Sequence, residues 1–224
     1  MARWKKKKME SFFNNEFLEY DIICLQEHFF LRSPILRWMG PPHIMKEFSS
    51  VHSPYPSSIA KVVSAGLSIY TRFDIAMSKF HPFECAVGMD KHAEKGILYA
   101  KISYGPGLFL HVFNSHLQSG GSARASLVRM DQLQTVYDFI YSNTQFDRHP
   151  IMLMGDFNEN VSLSTLQIVR KFATISQSLN TYKHRCLDYI VVQQDRMIML
   201  GHDQTHSFDN FSDHSGVSVV VFPN

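Results

Sequence analysis

Short runs of apolar and β-branched residues, each bounded by polar clusters, recur along the chain and predict β-strands. The clearest runs are Asp21–Gln26, Gly66–Phe73, Gly96–Tyr104, Leu108–Leu117, Pro150–Asp156, Leu187–Gln193 and Gly216–Phe222. The residues YGPG between the third and fourth runs form a turn signal. We therefore predict that these two strands pair as an antiparallel hairpin.

Helical spacing is clearest in Ala123–Asn143, where apolar residues recur every three or four positions and predict one buried face. Ser122 is a suitable cap for this helix, and the predicted face consists of Leu127, Met130, Leu133, Val136, Tyr137 and Ile140. Weaker helical patterns cover Leu163–Phe172 and Glu10–Tyr20, whereas Leu31–Ser58, rich in Pro and Ser, predicts a long loop. Strands outnumber helices, and hairpins mix with helical connections. This pattern predicts an α/β fold, a four-layer sandwich of two packed mixed β-sheets flanked by helices.

The composition narrows the class of protein. A chain of 224 residues that is 45% hydrophobic is long enough for one well-buried core, so we predict a single domain over residues 1–224. A net charge of +2 does not indicate nucleic-acid binding driven by charge alone. Three widely separated cysteines fit a reducing compartment. Because no signal-peptide or membrane-spanning pattern is present, we expect an intracellular, cytoplasmic protein.

Polar side chains suited to catalysis lie directly beside the predicted strands. Any one of them alone would more often be a surface or packing residue. A buried strand that ends in such a residue, however, holds that side chain in a fixed position, and the ends of several strands can lie together around one site. The residues placed in this way are Glu27, His116, Asp156, Asn158, Asp188, Asp213 and His214.

These residue types suit the hydrolysis of a phosphodiester. Magnesium prefers oxygen ligands, for which Glu27 and Asp213 are the candidates. A histidine oriented by a carboxylate can prepare a water molecule for attack, a role that fits His214 with Asp188. Asn158 and His116 are suitable donors to the negative charge that develops on the phosphate.

With these residues in place, the sequence resembles the endonuclease/exonuclease/phosphatase family. The matching segments DIICLQE, NSHLQSG, GDFNEN, LDYIVV and SDHSGV occur in the family's order between Asp21 and Val217. Within the family, the sequence is most similar to the neutral sphingomyelinases. That similarity includes KGILYAKI at Lys95–Ile102 and a helix after SHLQSG that carries Arg129 and Gln132.

The resemblance implies a DNase I-like fold and a metal-dependent phosphodiesterase, with sphingomyelin cleaved to ceramide and phosphocholine as the favoured reaction. The implied cofactor is Mg²⁺, or Mn²⁺ in its place, bound by Glu27 with Asp213 near it. The resemblance also implies roles for the remaining residues. Asp156 and Asn158 would position the water and the phosphate, and Asp188 would orient His214, the base. His116 would stabilise the transition state, and Asp90 and Lys95 would contact the substrate.

One departure from the family concerns the beginning of the chain. The family usually starts with a strand ending in an asparagine that joins Glu27 at the metal, but only 26 residues precede Glu27 and they read as a helix. We therefore expect the first strand and its asparagine to be missing. Two alternatives follow: a nuclease of the same fold, and a catalytically impaired remnant that acts as a binding protein.

The expected partners are a phospholipid, or another phosphodiester substrate, and a membrane surface contacted peripherally. Nucleic acid is the less favoured partner, and we expect a monomer. The candidate membrane contacts are the loop Pro41–Ser58, together with Trp38, Phe48 and Tyr55, and the basic stretch Lys5–Lys8.

Overall fold

The computed structural model describes residues 17–28, 42–57, 60–159, 180–193, 195–206 and 212–224. Within these ranges the chain forms ten strands, a long helix at Ala123–Thr144, a short helix at Pro42–Met45, and 3₁₀ turns at Phe17–Glu19 and Gly88–His92. The predicted helix at Leu163–Phe172 lies outside the described residues, as do residues 10–16 of the predicted N-terminal helix.

The central sheet has five strands in the order β4-β5-β6-β7-β8. These strands are β4 (Asp74–Pro82), β5 (Gly96–Gly105), β6 (Leu108–His116), β7 (Ile151–Asp156) and β8 (Asp188–Val192). The predicted β5–β6 hairpin is confirmed, and β6 and β7 are the parallel pair. The long helix connects β6 to β7, as a parallel pair requires.

Two smaller sheets complete the described strands. One has the antiparallel order β1-β3-β2, with β1 at Ile22–Leu25, β2 at Ser49–His52 and β3 at Ser68–Thr71. The other is a hairpin of β9 (Met197–His206) and β10 (Gly216–Pro223).

Three apolar clusters separate four layers, which confirms the predicted sandwich. Successive side chains of a strand point to opposite faces of the sheet, and both faces of β7 are buried. Ile151 and Leu153 face the long helix, whereas Met152 and Met154 face the smaller sheets. The first cluster lies between the long helix and the five-stranded sheet, and the second lies between that sheet and β1, β3, β9 and β10. The third cluster covers the outer face of the three-stranded sheet and includes Phe17, Ile44, Phe48 and Tyr70.

The long helix begins as predicted, but it buries a partly different face. The Ser122 hydroxyl accepts a hydrogen bond from the third amide of the helix, which confirms the cap. Leu127 and Met130 are 67% and 58% exposed, so their predicted burial is wrong. Arg129 and Gln132 are buried instead, because both bond to loop carbonyls beneath the helix. No helix within the described ranges is both long and apolar enough to span a bilayer.

The loop predicted for Leu31–Ser58 is partly structured. Its described part contains the helix Pro42–Met45 and β2, and the side chain of Phe48 is buried in the third cluster. Strands β2, β4 and β9 were not expected from their sequences. Strand β4 is largely exposed and lies at an edge of its sheet, so pairing with β5, and not its own apolar pattern, defines it.

Candidate active site

The register of the central sheet brings three predicted site residues side by side. His116 at the end of β6 lies opposite Asp156 at the end of β7, and Asp156 lies opposite Asp188 at the start of β8. We call this border, with the loops that adjoin it, the site edge. Because each side chain extends from the end of a packed strand, its position is fixed by the core beneath it.

Gly155 permits the close approach of β6 and β7 just below the site edge. A Cβ atom at this position would lie 2.0 Å from the carbonyl oxygen of Ser115, and the φ angle of Gly155 is +153°. A side chain here would therefore push β7 away from β6 and displace the neighbouring Asp156.

His214 and Asp188 form a direct pair at the site edge. The Nδ1 atom of His214 lies 2.7 Å from Oδ2 of Asp188, and both side chains are partly accessible. Within the described part of the chain, Nε2 of His214 has no hydrogen-bond partner. The ring therefore offers its second nitrogen to a substrate or a water molecule.

Thr181 holds both members of this pair in place. Its hydroxyl accepts hydrogen bonds from the amides of Leu187 and Asp188 at 2.9 and 3.1 Å. Its carbonyl accepts a hydrogen bond of 2.7 Å from the amide of Ser215, the residue after His214. The ring of Tyr182, the next residue, lies 4.7 Å from the imidazole of His214, measured between ring centroids. Neither Thr181 nor Tyr182 was singled out from the sequence.

The environment of His214 favours its protonated form. Burial lowers the pKa of the imidazole, but the hydrogen bond and the charge of Asp188, with help from Asp156 and Asp213, raise it to about 9. The imidazole of His214 is thus a stronger base than a free histidine.

Asp156 lies at the centre of the site edge and is buried. Burial, followed by the negative charge of Asp188, raises the pKa of its carboxyl to about 7. Its Oδ1 accepts a hydrogen bond of 2.8 Å from the amide of Asn158. Asn158 adopts a left-handed backbone with φ of 52°, a conformation that asparagine tolerates well, and its Nδ2 donates to the carbonyl of Leu117 at 3.1 Å.

Lys95 connects the remaining predicted residues. Its buried ammonium lies 2.9 Å from Oδ2 of Asp90, 2.8 Å from the carbonyl of Leu117 and 3.1 Å from Nε2 of His116. Burial lowers the pKa of Lys95, although the carboxylate of Asp90 opposes that shift. Asp90 also accepts a hydrogen bond of 2.7 Å from the amide of Ser119.

These contacts assign the tautomer of His116. An ammonium group can only donate, so Nε2 of His116 accepts from Lys95 and its proton resides on Nδ1. Burial, then the charges of Lys95 and His214, hold the pKa of His116 well below its usual value. The neutral ring lies beside Asp156, with 3.5 Å between Nε2 and Oδ2.

The two residues expected to bind a metal lie at the rim. Glu27 is exposed just after β1, in a left-handed conformation with φ of 56°, and its charge is close enough to raise the pKa of Lys95. Asp213 is exposed beside His214. Among the described residues, neither carboxylate has a hydrogen bond or an ion pair. Their roles as metal ligands stay predictions.

One cluster at the site edge has the donor atoms that a divalent cation needs. A carboxylate oxygen from each of Asp156 and Asp188 and a ring nitrogen of His214 all lie within 4.8 Å of one another. Oxygen donors predominate in this cluster, as Mg²⁺ prefers. Burial and then the charge of Asp188 raise the pKa of Asp156, and a cation bound here would favour the ionised carboxylate.

Buried polar residues that the sequence did not single out support the site edge from below. Asn114, within β6, accepts a hydrogen bond from the Gln26 amide at 2.7 Å and donates to the carbonyls of Leu25 and Ser68. It thereby ties the end of β1, and with it Glu27, to the central sheet. An asparagine within the apolar run LFLHVFNSHL was the available signal.

Arg129 and Gln132 support the loop after β6 in a similar way. Arg129 donates to the carbonyls of Gln118 and Gly120 and forms an ion pair with Glu159, whose oxygen lies 2.6 Å from Nη2. Gln132 accepts a hydrogen bond from the amide of Gln118. The long helix thus positions the loop that contains Ser119, the partner of Asp90.

Comparison with known proteins agrees with this geometry. The profile of the Endonuclease/Exonuclease/phosphatase family matches residues 11–214. A sphingomyelinase of Dictyostelium discoideum is 32% identical over 177 residues, which cover 65% of this chain and 38% of that protein. Sphingomyelinase C of Bacillus cereus is 28% identical over 119 residues, covering 51% of this chain and 35% of that protein. The chain therefore spans less than half the length of these two relatives.

Among solved structures, a beta toxin mutant from Staphylococcus aureus with bound magnesium ions has a TM-score of 0.74 to this chain. The two chains are 18% identical, and the match covers 97% of this chain and 92% of the toxin chain. At this identity the likeness shows the shared fold.

Proposed function

The chain belongs to the endonuclease/exonuclease/phosphatase family, and from that premise we propose that it is a Mg²⁺-dependent phosphodiesterase that cleaves sphingomyelin to ceramide and phosphocholine. The observation that carries the proposal is the 2.7 Å His214–Asp188 pair beside the buried carboxyl of Asp156. The sphingomyelinases among the relatives support the choice of substrate.

In the proposed reaction, His214 accepts a proton from the attacking water through Nε2. Its other nitrogen is held by Asp188, which fixes the ring orientation and stabilises the imidazolium that forms. A base with a pKa of about 9 is mostly protonated at neutral pH. We therefore expect turnover to increase as the pH rises from neutral toward 9.

The residues next to the His214–Asp188 pair would bind and position the phosphate. Asn158 and Asp156 share a turn that fixes both side chains, so the amide of Asn158 and the carboxyl of Asp156 can position the phosphate and the water. The ammonium of Lys95 and the neutral ring of His116 lie on the other side of Asp156. The ammonium of Lys95 would supply positive charge to the developing oxyanion, and His116 would orient that ammonium by accepting its hydrogen bond.

A divalent cation fits the donor set of the site edge. Of the clustered donors, Asp156 would hold it, because Asp188 and His214 remain paired with each other. The exposed carboxylates of Glu27 and Asp213, expected from the sequence to bind the metal, would complete the ligand set. When bound, the cation would neutralise negative charge on the phosphate. The chain's own residues perform the proton transfer and the positioning.

The test is a substrate panel incubated with the purified chain and Mg²⁺, with products followed by ³¹P NMR. The panel contains sphingomyelin, phosphatidylcholine, plasmid DNA and RNA. Release of phosphocholine from sphingomyelin that chelation abolishes is the expected result. Cleavage of nucleic acid alone would replace the proposal with a nuclease of the same fold. A folded protein that cleaves no member of the panel would reject the proposal in favour of a binding protein.

A further inference from the structure

Three exposed apolar side chains lie on two loops and on the 3₁₀ turn Gly88–His92, which adjoins the site edge. Met89 is 82% exposed, Val62 is 57% exposed and Tyr55 is 39% exposed. Exposed apolar residues are common singly, but a group of them on adjoining segments marks an interaction surface. We call these three residues the apolar rim.

Hydrogen bonds join the three segments that carry the apolar rim. The amide of Val62 donates to the carbonyl of His92 at 2.7 Å, and the amide of Glu94 donates to the carbonyl of Val63 at 3.1 Å. The amide of Ser57 donates to the carboxylate of the buried Glu94 at 3.1 Å. The rim is therefore one assembled surface and not three independent segments.

The apolar rim is also connected to the site edge. Met89 directly precedes Asp90, which pairs with the buried Lys95 and accepts from the amide of Ser119. Two residues before Met89, the backbone of Val87 exchanges two hydrogen bonds with the side chain of Gln118. A surface that contacts the rim would therefore lie next to the residues expected to bind the phosphate.

Charge at the apolar rim indicates the chemistry of its partner. Lys61 adjoins Val62, and the exposed Lys91 lies two residues after Met89. Apolar side chains flanked by lysines suit the interface of a bilayer, where the apolar groups enter the headgroup region and the ammonium groups meet anionic lipids.

We propose that the apolar rim docks the protein on a phospholipid bilayer that contains anionic lipid, so that the site edge faces the headgroups. This inference rests on the proposed function for its choice of partner. It also replaces part of the expectation from the sequence, because Phe48 is only 8% exposed and packs in the core. Trp38 and Lys5–Lys8 lie outside the described residues.

The experiment measures binding without catalysis. The chain is sedimented with vesicles of phosphatidylcholine and phosphatidylserine, free of sphingomyelin and in the presence of a chelator. The rim variant carries Val62→Ser and Met89→Ser, and the matched control carries Leu127→Ser and Met130→Ser on the long helix. The control residues are 67% and 58% exposed, so both variants remove similar apolar surface. Circular dichroism and thermal unfolding check that each variant is folded like the wild type.

We expect the rim variant to bind vesicles about tenfold or more weakly than the wild type, and the control to bind like the wild type. Lys91→Glu should weaken binding only when phosphatidylserine is present. The inference is overturned if the wild type does not bind, if the rim variant binds normally, or if the control loses as much. Docking and catalysis are separable, because a rim-dependent binder that releases no phosphocholine would refute the proposed function and leave the docking surface standing.

Discussion

Two of the histidine–carboxylate pairs at the central sheet have nitrogen–oxygen distances of 2.7 and 2.8 Å, and they differ in what surrounds them. At the site edge, Nδ1 of His214 meets Asp188 at 2.7 Å. Nearer the middle of the sheet, Nε2 of His111 meets Asp147 at 2.8 Å. The second nitrogen of His111 is engaged by the hydroxyl of Tyr99 at 2.8 Å, whereas that of His214 has no partner among the described residues.

The two pairs also differ in burial and charge. His111 is fully buried, and burial lowers its pKa despite the favourable carboxylate of Asp147. His214 is partly accessible, and the carboxylate of Asp188 raises its pKa to about 9. The same pair of side chains is thus structural where every polar atom is satisfied and suited to chemistry where one atom stays available. The sequence distinguishes them only by motif, since His214 lies in SDHSGV and His111 lies within a predicted strand.

The largest expected effect is on catalysis. His214→Ala should lower phosphocholine release on the order of 10²–10⁴-fold, because the base is removed and the fold is kept. Steady-state kinetics with sphingomyelin and Mg²⁺ provides the measurement, and circular dichroism confirms folding. Activity within a few-fold of the wild type would show that the pair at the site edge is not the proton acceptor.

The second prediction concerns the structural pair. His111→Ala should lower the free energy of unfolding by about 2–4 kcal/mol, since it leaves the buried hydroxyl of Tyr99 and the carboxylate of Asp147 without their partner. Denaturant unfolding measures this loss. The folded variant should keep wild-type turnover at low temperature, and a loss of turnover as large as that of His214→Ala would erase the distinction between the pairs.

The third prediction uses the pH dependence of stability. In the folded protein His214 has a pKa of about 9, against an unfolded value of 6.5. Its pairing therefore stabilises the fold fully below pH 6.5 and loses that effect as the pH rises to 9, by at most roughly 3 kcal/mol. The pKa of Asp156 is also raised, to about 7, so its own loss of stabilisation extends into the lower part of this range and has the same sign.

The pH effect is measured by chelated thermal unfolding between pH 7 and 9. The wild type should lose stability over this range, and Asp188→Asn should lose much less. His111, with its lowered pKa, should act in the opposite direction, because its neutral form is the one favoured by folding and stability is lost as the pH falls below 6.5. Equal slopes for the wild type and Asp188→Asn above pH 7 would contradict the assignment.

The smallest expected effect concerns Tyr182, whose ring lies against His214. Tyr182→Ala should lower turnover by several-fold up to about tenfold, consistent with the loss of one aromatic contact, and Tyr182→Phe should restore it. The pH–rate profile should also shift, because the imidazole is less firmly held. A variant whose loss is entirely in KM, with an unchanged profile, would assign Tyr182 to substrate binding.

Much of the fold is predictable because it rests on local patterns. The seven predicted strands and the Ser122 cap are present, since alternating apolar residues and a capping hydroxyl act over a few positions. Strand β4 escaped prediction because it is exposed and exists only through pairing with β5. The prediction of which face of the long helix is buried was partly wrong. Arg129 and Gln132 form buried hydrogen bonds to distant loop residues, and these bonds outweigh the local apolar pattern.

In the candidate site, too, some residues could be predicted from the local sequence and others could not. The strand ends that carry His116, Asp156 and Asp188 were evident from the sequence, and the register sets them side by side. Thr181 and Asn114 were not, because Asn114 donates hydrogen bonds to residues far along the chain and the carbonyl of Thr181 accepts one from such a residue. Motif residues can be recognised locally, whereas the residues that position them require the folded structure.

We propose that the His214–Asp188 pair directs water to the phosphorus of a choline phospholipid. It is tested most directly by hydrolysis of sphingomyelin in ¹⁸O-labelled water with Mg²⁺, followed by mass spectrometry of both products. The wild type should incorporate one ¹⁸O atom into phosphocholine and none into ceramide, and His214→Ala should form labelled phosphocholine on the order of 10²–10⁴-fold more slowly. Label in ceramide, or undiminished labelling of phosphocholine by His214→Ala, would contradict this proposal.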